Sequence, residues 1–173
     1  MKYQPATMKA GVVTSLFALF AVVSSFFMPP QPLAMLLYAF ILIHTFFSIR
    51  CFSALIDVRD LRQWVIDIVL VVSYAAFAFS MHDLAAFFVV FVWVFFVATM
   101  KYALLIGRLR QPILLQRKIT ADILGAVFGG VGYAATVLSV PYSATLLVTI
   151  FAAGTFYYLV VAPLYVPDAL TKG

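Results

Sequence analysis

LAAFFVVFVWVFFVATM, residues Leu84–Met100, contains no charged side chain, and its only side-chain polar groups are the Trp93 indole and the Thr99 hydroxyl. A run this long exceeds the usual five or six residues of a strand. It also lacks the alternation that a membrane barrel strand requires. A helix satisfies every backbone group internally, and a helix with no polar face belongs in lipid or in the heart of a large core. Aromatic and β-branched residues occupy every face of this segment. The sequence therefore predicts broad lipid exposure for it, or a contact between subunits.

The rest of the chain decides between lipid and a large core. Hydrophobic residues make up 66% of the 173 residues and charged residues 10%, with a mean hydropathy of +1.13. Soluble domains carry about a quarter charged residues. This chain lacks the polar side chains to coat a globule, so the expected solvent is the bilayer. Windows long enough to cross a hydrocarbon core of about 30 Å fall at Ala10–Met28, Leu33–Ile49, Trp64–Met81, Leu84–Ile106, Ile119–Val140 and Tyr142–Val166. The expectation is an all-α polytopic membrane protein, one membrane domain with six transmembrane helices. The N-terminal segment resembles a signal peptide in its two lysines and apolar core. The FFMPPQPLAM that follows offers a poor cleavage site, so the segment is read as a retained first helix.

The breaks between windows differ in charge. MPPQP (28–32), MHD (81–83) and VPYS (140–143) are tight and hold no Lys or Arg. The connectors at 50–63 and 107–118 hold Arg50, Arg59, Arg62, Arg108, Arg110, Arg117 and Lys118, and the N-terminal tail adds Lys2 and Lys9. By the positive-inside rule the basic side is cytoplasmic. That gives three outward-pointing hairpins with both termini inside, in a cell (inner) membrane. The net charge of +5 is then topology, and nucleic acid is not an expected partner. The first connector, apolar and charged by turns, reads as an interfacial helix whose Arg59 and Arg62 meet anions or lipid headgroups.

Four ionisable residues fall inside the windows: His44, Asp67, Lys101 and Asp122. A charge at the bilayer centre costs at least about 2.5–3.5 kcal/mol on insertion scales, so each is a candidate site residue. At about 1.5 Å per residue from the outer turns, His44 lies about 20 Å in, Asp67 about 23 Å, and Lys101 and Asp122 about 28 Å. The last two thus read as boundary residues, with Asp122 in the first turn of its helix and Lys118 beside it on one face. His44 and Asp67 lie deeper. They are expected either to pair with each other, as a lock or a proton site, or to leave Asp67 for Lys101 across its hairpin. Tyr74, Ser73 and Thr99 can add hydroxyls to the same inner vestibule.

The fifth window reads ADILGAVFGGVGYAAT. Its Gly125/Gly129 pair and the stripe through Gly130 predict close packing, with Ala152–Thr155 of the sixth window as the matching surface. Other chemistries lack their residues. Cys51 is the only cysteine, and His44 and His82 lie at different depths, against a bis-histidine haem. No Walker, HExxH or Gx[ST]xG motif occurs. No enzyme activity, cofactor or metal is expected. Arg62 and Asp67 recur in spacing as Arg117 and Asp122, but the first hairpin has Val12 where a repeat needs the aspartate. The expected function is transport of a small solute or ion, possible in proton-linked form through His44 and Asp67. The alternatives are a membrane scaffold or subunit, with a partner subunit or a homo-oligomer contact, and, distantly, an intramembrane lipid-modifying enzyme.

Overall fold

The computed structural model describes residues 3–53, 61–106 and 112–164. Its helices are α1 (Tyr3–Phe27), α2 (Pro32–Phe52), α3 (Leu61–Phe79), α4 (Leu84–Ala103), α5 (Pro112–Val137) and α6 (Ser143–Phe156). A 3₁₀ turn at Ser80–His82 extends α3, and a π-helical turn at Tyr157–Val161 extends α6. No strand occurs among the described residues. Six of these helical stretches are long and apolar enough to cross a membrane, which is compatible with an integral membrane protein.

The turns form where local chemistry ends the helices. Pro32 opens α2 at a position that needs no amide donor. Asp83 caps α4, its carboxylate accepting from the Ala85 and Ala86 amides at 2.9 and 3.3 Å. The end of α5 is closed by paired bonds from Ser139 N to Thr136 O and from Val140 N to Ala135 O. Ser139 then sits at φ 51°, in a left-handed cap position that usually falls to glycine. The first two turns meet, Gln31 N donating to Met81 O at 2.8 Å.

At the basic end the helices outrun the apolar windows. α1 begins at Tyr3 rather than Ala10, α2 continues to Phe52, α3 begins at Leu61, and α5 begins at Pro112 rather than Ile119. A charge ends an apolar window but not a helix, because Lys, Arg and Gln are good helix formers. The expected interfacial helix falls mostly on 54–60, outside the described residues.

Packing corrects two expectations. α4 is not lipid-exposed all round: Phe87, Phe88 and Phe91 are fully buried, and Val94 and Val97 nearly so. Phe91 touches the rings of Phe77, Phe87, Phe88, Phe95, Phe128 and Phe151. Its exposed residues are Val89, Trp93, Phe96, Met100 and Ala103, three or four residues apart. Residue type could not separate the two faces, because phenylalanine is equally at home against lipid and against other rings.

The glycines of α5 serve this same helix. Its closest neighbour is α4, whereas α5 and α6 have only a slight contact and α6 rests mainly on α2. A Cβ on Gly125 would meet the Phe95 ring at 2.4 Å, and one on Gly129 would meet Phe91 and Val92 at 2.8 Å. Gly132 is just as tight, 2.3 Å from Phe88, while Gly130 faces open space. The close approach is therefore glycine against phenylalanine: missing side chains on α5 make room for rings on α4. The small residues of α6 are not the partner surface.

Candidate functional site

The core falls into two apolar clusters. The larger contains Phe17, Tyr38, Phe77, Phe87 and Phe91; the smaller, at the basic end, contains Cys51, Phe52, Tyr102, Leu105, Leu114 and Leu115. Between them lies a cavity of about 350 Å³, lined by members of both, including Phe17 and Tyr74 from one and Phe52 and Tyr102 from the other. Its walls come from α1 to α5.

Each helix presents one face to it. α2 contributes His44, Thr45 and Ser48, α3 contributes Asp67 and Tyr74, and α4 contributes Lys101 and Tyr102. α5 contributes Lys118 and Asp122, and Lys9 lies on the α1 side. Spacings of three, four and seven residues (Thr45/Ser48, His44/Ser48, Lys118/Asp122, Asp67/Tyr74) keep these side chains on one helix face, and His44/Thr45 and Lys101/Tyr102 are adjacent. Of the expected ionisable site residues, the cavity therefore gathers His44, Asp67, Lys101 and Asp122, with Tyr74 beside them.

Their pairings differ in part from the expected ones. Lys101 Nζ donates to Asp67 Oδ1 across α3 and α4, the second of the two arrangements open to Asp67. His44 Nε2 lies 3.1 Å from Thr155 Oγ1, so α6 contributes to the site through the ring it holds. Lys118 Nζ donates to Asp122 Oδ1 one turn away and stands 5.1 Å above the Tyr102 ring. Two hydroxyl pairs tie α2 to its neighbours: Thr45 to Tyr74 on α3, and Ser48 to Tyr102 on α4.

The ranking of the two aspartates is reversed. Asp122 is the more buried of the two: its side chain is 2% exposed, against 41% for Asp67. The reason is the start of α5. Asp122 is ten residues from Pro112, about 15 Å into the helix, and not in its first turn. Moreover, Asp122 Oδ2 is buried without a hydrogen bond, while Oδ1 takes the lysine.

Ser73 and Thr99, proposed for the vestibule, are used elsewhere. The Trp93 indole donates to Ser73 Oγ at 2.9 Å, and Thr99 donates to Phe95 O at 2.8 Å. Arg59 lies outside the described residues, and Arg62 is exposed in the first turn of α3. Thr45, Ser48 and Tyr102 were missed as site residues. The available signal was their register, Thr45 and Ser48 on the His44 side of α2 and Tyr102 beside Lys101. Among the described residues, no three His, Cys, Asp or Glu side chains gather as a metal site.

No protein-family model, curated protein or solved structure matches the chain. The functional reading rests on this geometry.

Proposed function

We propose that this protein moves a small solute or ion across a membrane, linked to protons, with the cavity as its binding site. The observation that carries the proposal is a cavity that brings His44, Asp67, Lys101, Lys118 and Asp122 together within an otherwise apolar bundle. Burying the Lys118–Asp122 pair, and Lys101 beside half-open Asp67, is costly, since a buried ion loses several kcal/mol of hydration (about that scale after relaxation). A bundle that serves only as a scaffold has no need of such a cavity. A carrier does need one: its site lies between helices and holds groups whose charge can change.

The orientation follows from the basic segments. The positive-inside rule puts Lys9 and the connectors after α2 and α4 in the cytoplasm, both termini inside, and the three turns outside as the tips of three hairpins. The cavity then belongs to the inner half of the membrane. Asp122 and Asp67 are the proton-bearing candidates. Each holds a lysine that must be released or re-paired when its carboxyl is protonated, so proton and solute occupancy are coupled through those ion pairs.

The test is proton flux in proteoliposomes carrying an internal pH-sensitive dye. Wild-type protein is expected to dissipate an imposed pH gradient faster than empty vesicles, alone or with added solute. Asp122→Asn and Asp67→Asn are expected to slow that flux while the protein remains monodisperse. Wild-type vesicles indistinguishable from empty ones across a solute panel, with a stable partner co-purifying, would favour the scaffold reading.

A further inference from the structure

Resting on the reading of the cavity as a solute site, we infer that its ligand is a small carboxylate that also bears a hydroxyl or amine donor, on an apolar body. Three features of the cavity each demand a different part of such a molecule.

The first is a cation. The lining holds Lys9, Lys101 and Lys118 against Asp67 and Asp122, an excess of one positive charge with His44 neutral. Lys101 and Lys118 are held by the aspartates. Lys9 is exposed at the edge of the cavity and, among the described residues, has no ion pair. It is the group available to an anion.

The second is an acceptor. Asp122 Oδ2 is buried and takes no hydrogen bond from the protein. Buried carboxylate oxygens are normally satisfied, and leaving one unmet is expensive. A ligand hydroxyl or ammonium supplies the missing donor. A plain carboxylate cannot, and it would add repulsion from Asp122.

The third is an apolar wall. Phe17, Leu70, Val71, Val94 and Phe95 line the same space, and its volume of about 350 Å³ lies within the range of small-molecule sites, roughly 300–1,000 Å³. A plain amine would fit this wall and meet Asp122, but it would leave Lys9 unmatched and raise the excess positive charge. Only a molecule with both head groups answers all three features. Charge balance further ranks the hydroxy acid, a net anion, above the zwitterionic amino acid.

Four probes sharing a phenyl body separate these demands: 3-phenyllactate, phenylalanine, 3-phenylpropionate and phenethylamine. Their binding to the purified full chain in nanodiscs is measured by calorimetry. Phenyllactate and phenylalanine are expected to bind at least about tenfold more tightly than either single-headed analogue, the scale of one charged hydrogen bond. Asp122→Asn is expected to erase most of the advantage of phenyllactate over phenylpropionate. Lys9→Met is expected to weaken phenyllactate about tenfold without weakening phenethylamine. A single-headed probe binding as well as phenyllactate overturns the inference, as does an unchanged preference in Asp122→Asn. If none of the four binds to protein that carries proton flux, the ligand class is wrong and the transport reading stands. If the two-headed probes bind with the expected preference but neither flux nor uptake occurs, transport is wrong and the inferred ligand class stands.

Discussion

Lys118 and Asp122 form an ion pair within one turn of α5, with the lysine over the Tyr102 ring and the aspartate 2% exposed. Lys101 and Asp67 repeat the chemistry across two helices, but there the aspartate is 41% exposed. Equal chemistry in unequal surroundings gives unequal consequences when either pair is cut.

Removing one partner of the buried pair strands the other charge among apolar groups, at a cost of about 3–5 kcal/mol. Asp122→Leu and Lys118→Met are each expected to lower the melting temperature strongly. The double variant Lys118→Met/Asp122→Leu recovers most of the loss, because no charge is left unpaired. Asp67→Ala leaves Lys101, itself 12% exposed, without its partner, and because Asp67 is open to solvent the cost is expected to be smaller than for Asp122→Leu. Thermal unfolding of all four proteins in one detergent provides the measurement. A double variant as unstable as the sum of its singles would show that the pair is not the stabilising unit.

The glycines of α5 give a second contrast. At Gly132 an added methyl runs into the fully buried Phe88 ring, and overpacking of this kind costs about 1–3 kcal/mol. Gly130 faces open space two residues away, where alanine gains up to about 1 kcal/mol of helix propensity. Gly132→Ala is therefore expected to melt earlier than wild type and Gly130→Ala no earlier. The order of the two melting points checks the α4–α5 interface without reference to function.

Much of the fold is legible in the sequence, and the reasons are local. Continuous apolar windows, Pro32, Asp83 and the proline of VPYS fix where six helices run and break. Helix pairing is less legible. Gly125 and Gly129 announce a close approach but not to which helix, and a phenylalanine such as Phe91 reads alike whether it faces lipid or six other rings. The site was half legible. His44, Asp67, Lys101 and Asp122 stand out because charge is rare in these spans, and the cavity gathers all four. Their ranking failed because depth was counted from the outer turns. Exposure depends on which neighbours surround a given height, and α5 begins two turns before its apolar window.

Ser139 offers a stabilising substitution. Its φ of 51° places a side chain in the left-handed region, where glycine has no steric penalty. Both bonds of the α5 terminus depend on that conformation. Relief of the left-handed penalty, about 1–2 kcal/mol, less the ~0.4–1 kcal/mol that glycine adds to unfolded-chain entropy, makes Ser139→Gly stabilising, read as a higher melting temperature with unchanged helical circular dichroism. A lower melting point would mean that the serine contributes more than its backbone angle.

The burial of α4 leads to the largest single effect expected outside the ion pair. Phe91 is fully buried and in ring contact with α3, α5 and α6 through Phe77, Phe128 and Phe151. Truncating such a residue costs about 3–5 kcal/mol through lost burial and the cavity left behind. Phe96, on the outward face of the same helix, is 50% exposed, and against lipid its loss removes little protein contact. Phe91→Ala is expected to melt far below Phe96→Ala when both are purified identically. Near-equal losses would mean that α4 meets lipid on both faces, and that the rings around Phe91 do not form the core that positions the cavity.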